Sequence, residues 1–179
     1  MKQLLSVILL AVLFTGFINA QSQWVSVGGN LALPMGGWGD NANIGFGGTA
    51  TYERSFTPNI VGEVYAGYLT FGGETIGTFS YSFSMIPIMV GGKYYFQPGK
   101  GLYGNALLGV HLYNVDVPGI TILGQTYGGG SASSTEFSLG VGAGYELPMG
   151  KNALDLSAHF MIVSDANYIG ARVAYKFGI

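Results

Sequence analysis

The sequence predicts an all-β protein: an eight-stranded antiparallel transmembrane up-and-down β-barrel over residues 21–179, behind a cleaved signal peptide at 1–20. Three observations predict it. Charged residues make up only 9% of the 179-residue chain and mean hydropathy is +0.38, whereas soluble domains carry about 25% charge. After the leader, no apolar run reaches the ~18–20 residues that a membrane helix needs, and the glycines, 31 in the whole chain, each oppose helix by ~1 kcal/mol relative to alanine. The third is alternation of apolar and small polar residues, the period of a strand whose successive side chains point to opposite faces.

Residues 1–20 have the form of an export address. Lys2 supplies the positive start, residues 4–17 the apolar core, and Ile18-Asn19-Ala20 a cleavage site ending on a small residue. Cleavage removes Lys2 and leaves six basic against nine acidic residues.

Eight alternating segments follow, at about 24–33, 44–54, 60–71, 80–96, 102–114, 134–147, 153–163 and 168–179. The first places Gly28 and Asn30 on its polar phase. The second sets Glu53 against Tyr52, the third Glu63 and Gly67 against Tyr68, and the fourth Lys93 against Tyr94 and Phe96. The fifth carries Asn105, Gly109 and His111 on the polar phase. In the sixth, Phe137, Leu139, Val141, Ala143, Tyr145 and Leu147 oppose Glu136, Ser138, Gly140, Gly142, Gly144 and Glu146. The seventh opposes Leu154, Leu156, Ala158, Phe160 and Ile162 to Asp155, Ser157 and His159. The eighth opposes Ile169, Ala171, Val173, Tyr175 and Phe177 to Gly170, Arg172 and Lys176. Most segments have the ~9–11 residues of a tilted membrane strand. Connections at 55–59, 97–101 and 148–152 are short and rich in Pro, Gly, Asn and Lys, as tight turns are. Those at 34–43, 72–79 and 115–133 are longer, with 164–167 a short exception. Short turns at one end and long loops at the other describe a barrel with a periplasmic and an outer end.

A soluble β-sandwich or lipocalin-like barrel would turn the apolar faces inward. The polar faces here are Gly, Ser and Thr with few charges, unsuited to a water-facing surface. The apolar faces carry Tyr52, Tyr68, Tyr94, Phe96, Tyr145, Tyr175 and Phe177 near strand ends, as interfacial aromatic girdles require. Arg54 sits on the apolar phase at a periplasmic strand end, where charge costs little and can meet headgroups. The segment 78–85 also alternates, but Phe79, Tyr81 and Phe83 are out of phase with Ile86, Ile88 and Val90. That predicts a bulge near Ser84 and Met85, or aromatics turned to the loop cluster.

The hairpin pattern, the segment SMIPIMVGGKYYF (84–96) and the terminal YIGARVAYKFGI (168–179) resemble the small eight-stranded outer-membrane β-barrel superfamily of outer-membrane protein X and the opacity-type proteins. The resemblance covers essentially all of 21–179. It implies a bacterial outer-membrane location, outer-membrane lipid and lipopolysaccharide as surroundings, and insertion by the barrel-assembly machinery. Gly170, Val173, Tyr175 and Phe177 resemble the assembly signal of such chains, although this one adds Gly178 and Ile179 after the aromatic.

In an eight-stranded barrel the interior is just wide enough for side chains to fill. Phase assigns to it Glu53, Glu63, Lys93, Glu136, Glu146, Asp155, Arg172 and Lys176, with Asn30, Asn105, His111 and His159. A lone buried charge costs several kcal/mol, so these acids and bases are expected to pair across a polar, plugged lumen. The other reading of the same residues is a proton- or ion-conducting path.

The chain has no cysteine, which excludes disulfides, thiolate metal sites, a cysteine nucleophile and an N-terminal lipid anchor. With so few basic residues it is no nucleic-acid binder. Asp155, Ser157 and His159 share one strand face, but a lumen ladder of polar groups has the same spacing. Lipid A deacylases resemble the fold and keep serine and histidine on the lipid-facing surface; here both histidines fall on the lumen phase. Two histidines on separate strands with scattered carboxylates make no metal-ligand spacing. No catalytic, cofactor or metal residue is therefore assigned.

Specificity is expected in the loops. Residues 34–43 carry Trp38; residues 115–133 carry Ile120, Ile122, Leu123 and Tyr127, an unusual number of apolar side chains for an exposed loop. These five are the candidate extracellular contacts. The longer loop either forms a hairpin with Gly119 near its bend, closes over the mouth, or offers a sticky surface. An edge built from 72–84 and 115–133, as in outer-membrane protein X, could take up a foreign strand. The expectation is a monomeric barrel with a structural or adhesin-like role and no catalysis. The alternatives are a narrow channel for small or hydrophobic solutes and, further off, a lipid-modifying enzyme.

Overall fold

The computed structural model describes residues 22–40, 42–76, 79–117, 120–122, 125–127, 129–164 and 166–179; the leader expected at 1–20 and Leu123 lie outside them. The strands are β1 Gln23–Pro34, β2 Ala42–Ser55, β3 Ile60–Ile76, β4 Phe79–Gln97, β5 Lys100–Val117, β6 Ile120–Ile122, β7 Gln125–Tyr127, β8 Gly130–Met149, β9 Asn152–Val163 and β10 Tyr168–Gly178. Eight of them close into a barrel in the order β1-β10-β9-β8-β5-β4-β3-β2, each antiparallel to its neighbours. The closing pair runs from Trp24 opposite Gly178 to Pro34 opposite Tyr168. No described helix is long and apolar enough to cross a membrane. These eight strands cover the eight alternating segments except for Ile179, which follows the end of β10.

The outer wall is apolar. Phe137, Leu139, Val141, Tyr145 and Leu147 of β8 face out, as do Leu156, Phe160 and Ile162 of β9. Phe46 is 63% and Val173 56% exposed. A surface of this kind is stable only against lipid, and closure leaves no unpaired backbone at membrane depth. The reversals between β4 and β5 and between β8 and β9 carry Gly99 (φ +65°) and Gly150 (φ +69°), a region open to glycine at no steric cost.

The interior has two storeys, which corrects the expectation of a uniformly polar lumen. The storey nearer the short turns, called periplasmic after the orientation expected from the sequence, holds buried Glu53, Glu63, Lys93, Glu146, Asp155, Arg172 and Lys176. The outer storey is an apolar core of Leu69, Phe71, Met85, Met89, Leu107, Met161, Val163 and Tyr168. β4 is continuous: its register with β5 is unbroken from Ser82 opposite Asp116 to Tyr95 opposite Tyr103. The bulge expected near Ser84 and Met85 is therefore not present. Phe83 shares the inward phase of Met85 and Met89 and stacks on Tyr113 at 6.0 Å. Met85 and Met89 are apolar residues on the inward face, so the phase holds from Phe83 to Tyr95; the register shift of this hairpin lies higher, between Gly72 and Thr75 of β3.

The wall is uneven in height. β3, β4, β5 and β8 rise past the ends of their neighbours. β8 pairs with β5 from Gly130 upward but with β9 only from Ser138, opposite Val163. Among the described residues, no strand pairs with the other side of 130–137, where Ser164 reaches only the Glu136 side chain. β6 and β7 form a separate hairpin, with Ile122 opposite Gln125. Gly119, expected near the bend of this loop, lies outside the described residues.

Candidate functional site

Register explains why charges converge in the periplasmic storey. Glu146 of β8 lies directly opposite Asp155 of β9, and Glu53 of β2 opposite Glu63 of β3. Like charges facing across strands repel, so bases must reach over the lumen. Lys93 does so from β4: its Nζ is 2.8 Å from Glu53 Oε1, 3.1 Å from Asp155 Oδ2 and 3.7 Å from Glu146 Oε1. Lys176 of β10 places its Nζ 2.6 Å from Glu53 Oε2 and 2.7 Å from Glu146 Oε1. Arg172 Nη1 lies 3.5 Å from Asp155 Oδ1, while its Nε donates to Thr49 and its Nη2 to Ser26 and Thr51. Six of the eight residues assigned to the network are thus in one neutral cluster of three acids and three bases. Glu63 stands beside it and accepts from Asn105 Nδ2 at 2.9 Å, the same nitrogen lying 3.1 Å from His159 Nε2.

Two tyrosines belong to the cluster that the reading of the sequence did not name. Tyr103 donates to Asp155 at 2.9 Å and carries Lys93 Nζ over its ring at 4.4 Å. Tyr95 donates to Glu146. Both lie on the lumen phase, Tyr95 two residues beyond Lys93 and Tyr103 two before Asn105, so alternation alone could have placed them.

Glu53, Glu146 and Asp155 bring their oxygens within 4.8 Å of one another, but the two lysine ammonium groups occupy the space between them. Ser157, His159 and Asp155 do not act as a set: Asp155 is bound by Lys93 and Tyr103, and His159 meets Asn105. His111 is buried in the outer storey, its Nδ1 2.9 Å from Ser138 Oγ and its Nε2 2.9 Å from Tyr168 Oη.

Glu136 is a correction. It stands ten residues above Glu146 on the same phase, at the outer mouth, and accepts from Ser164 Oγ at 2.8 Å. The hydroxyls of Ser164 and Ser134 hold its carboxyl below the usual carboxylate range. It joins no lumen ion pair among those described. Trp38 is a second correction. It does not project from its loop but folds over the mouth in the 3-10 turn Gly36–Trp38. There it is buried, edge-on to Phe71 at 4.7 Å and Tyr168 at 6.5 Å. Trp38, Tyr113, Ser134, Glu136, Val163, Ser164 and Ala166 line a mouth cavity of about 220 Å³. At the other end, Trp24, Glu146, Lys176 and Ile179 line a periplasmic cleft of about 570 Å³.

Of the other loop candidates, Ile120, Ile122 and Tyr127 are in the β6–β7 hairpin. Of the terminal residues, Val173, Tyr175 and Phe177 face outward, Tyr175 and Phe177 packing edge-on at 4.8 Å, and Gly170 faces in.

By sequence, no family model and no curated protein matches the chain. By structure, it is similar to Ail, the attachment invasion locus protein of Yersinia pestis, solved in complex with the heparin analogue sucrose octasulfate. The match has a TM-score of 0.63 at 14% identity and covers 89% of this chain and 99% of that one. OprG from Pseudomonas aeruginosa matches with a TM-score of 0.56 at 12% identity, over 88% and 96%. Neisserial surface protein A matches with a TM-score of 0.51 at 13% identity, over 90% and 99%. The chain has the fold of the small eight-stranded outer-membrane barrels.

Proposed function

We propose that this barrel resides in a bacterial outer membrane, exported by its leader, and acts as a surface-interaction protein of adhesin type with a plugged lumen and no catalysis. Outer-membrane lipid and lipopolysaccharide surround it, and the barrel-assembly machinery inserts it through its last strand, where Gly170, Val173, Tyr175 and Phe177 lie. The observation that carries this reading is the open side of β8 above the membrane. Residues 130–137 present backbone donors and acceptors to which an extended segment can pair, with affinity from main-chain hydrogen bonds. Ail, solved with a heparin analogue, is a precedent for ligand binding on this scaffold.

Adjacent residues of a strand direct their N–H groups to opposite sides, and proline removes that donor. Ser133→Pro and Ser134→Pro therefore separate the two sides of β8: one breaks pairing to β5, the other only the open side. Cells displaying the protein are expected to be retained on at least one of a panel of protein- and glycan-coated surfaces. The open-side proline should abolish retention while leaving heat-shifted gel mobility intact. Retention on no surface, or retention indifferent to both prolines, would sink the reading.

The plugged interior has its own test. The ion cluster and the apolar storey above it lie in series between the periplasmic cleft and Trp38. The refolded protein should be electrically silent in a planar bilayer. Steady channels altered by Lys176→Met would instead put the narrow-channel reading first.

A further inference from the structure

We propose that the outer mouth binds a basic, extended polypeptide segment, which pairs with the open side of β8 and seats a lysine or arginine side chain between Trp38, Tyr113 and Glu136. The inference rests on the strand-addition reading above and adds the chemistry of the guest.

Charge is segregated along the barrel. The bases outside the lumen, Arg54, Lys100 and Lys151, all fall at the periplasmic turns. Of the other acids, Asp40 and Glu136 lie at the outer side, and by sequence Glu74 and Asp116 fall in the last residues of β3 and the outer end of β5 and Asp165 between β9 and β10. No basic residue of the sequence falls in those segments. A rim of one sign attracts the opposite sign and raises its encounter rate. It repels a sulfated or phosphorylated polysaccharide.

The mouth cavity supplies the local chemistry. Glu136 offers a carboxylate kept ionised by its two serine donors. Trp38 and Tyr113 offer aromatic surface, along which a lysine or arginine stem lies while its charged head reaches the acid. The indole N–H of Trp38 lies beside the Tyr113 hydroxyl but in good hydrogen-bond geometry with no described residue, although the side chain is only 8% exposed and borders the cavity. A buried donor left unpaired costs free energy. A peptide segment brings a carbonyl acceptor together with the cation, so one guest satisfies both groups.

Register ties the cavity to the strand edge. Ser134 and Glu136 line the cavity from β8 itself, within the stretch that has no partner on its β9 side. Side chains of an added strand alternate as those of β8 do, so every second guest residue faces the cavity.

The test uses the barrel in zwitterionic phosphatidylcholine nanodiscs, which do not themselves attract a basic peptide. Fluorescence anisotropy would follow labelled extended peptides alternating threonine with lysine, with glutamine or with glutamate. The lysine peptide should bind best and the glutamate peptide worst. Glu136→Gln should weaken the lysine peptide about tenfold and leave the glutamine peptide unchanged. Trp38→Phe, which keeps a ring and removes the N–H, should weaken both. Higher ionic strength should weaken the lysine peptide selectively. If glutamine and lysine peptides bind equally and Glu136→Gln has no effect, this inference fails while strand addition stands. If no peptide binds to protein of folded gel mobility, both fail.

Discussion

Replacing Lys93 with methionine should cost the folded barrel about 3–5 kcal/mol, the usual loss when one partner of a buried ion network is removed. Lys93 touches Glu53, Asp155 and Glu146 at once. Without it, Glu53, Glu63, Glu146 and Asp155 share the narrow storey with only Lys176 and Arg172. The register sets these acids in facing pairs, so the repulsion cannot relax by a small movement. The double variant Lys93→Met with Glu53→Gln restores the balance of charge in the cluster and should recover part of the loss. Urea unfolding of the refolded protein in lipid vesicles, followed by tryptophan emission, measures both. A loss below about 1 kcal/mol for Lys93→Met, the range of solvent-exposed pairs, would mean that water reaches the cluster, and the plugged interior would have to be abandoned.

The second large effect is at glycines where neighbouring strands approach most closely. A Cβ on Gly91 would lie 2.0 Å from the Ala106 carbonyl oxygen, and one on Gly47 would lie 1.9 Å from that of Tyr68. Both obstacles are backbone in the barrel wall, so no side chain can swing aside. Such glycines let a sheet curl tightly enough to close. Gly91→Ala and Gly47→Ala should each lose at least about 3 kcal/mol, the upper end for overpacking, or fail to give the heat-shifted folded band. Gly29→Ala is the control. Its Cβ would meet nothing within 4 Å, and it should be neutral or stabilising by about 0.4–1 kcal/mol through the unfolded chain. Equal tolerance at all three positions would show that the wall is looser than its register implies.

Much of this architecture was legible in the residues. Lipid outside and side-chain packing inside impose a period of two along every strand, and that period located all eight barrel strands and the inward direction of Lys93, Asp155 and Arg172. Phase reports a face, however, and not a height. Glu136 and Glu146 share a face, yet only Glu146 reaches the cluster. Phase also fails where both faces are apolar. Leu69, Phe71, Met85 and Met89 resemble lipid-facing residues in sequence but fill the outer storey. Trp38 eluded the reading for a different reason. Its loop is polar and glycine-rich, and nothing local indicates that it folds back over Phe71 and Tyr168. Tyr95 and Tyr103 were within reach of alternation, but an aromatic girdle and a lumen hydroxyl draw on the same residue type.

The unequal strand heights limit what can happen at the exposed backbone. In a flat sheet a bare edge is a template that each added strand renews, and growth can continue into a fibril. Here the wall is curved, and its two bare margins, on β8 and on the top of β3, face each other across a notch above β9, β10, β1 and β2. That notch is four strands wide, roughly 20 Å at ~4.8 Å per strand. Each strand taken up leaves less room for the next, and a guest that filled the notch would complete the cylinder and leave no template behind. Occupancy is thereby bounded by geometry, so the protein can display unpaired backbone at high surface density without seeding its own polymerisation.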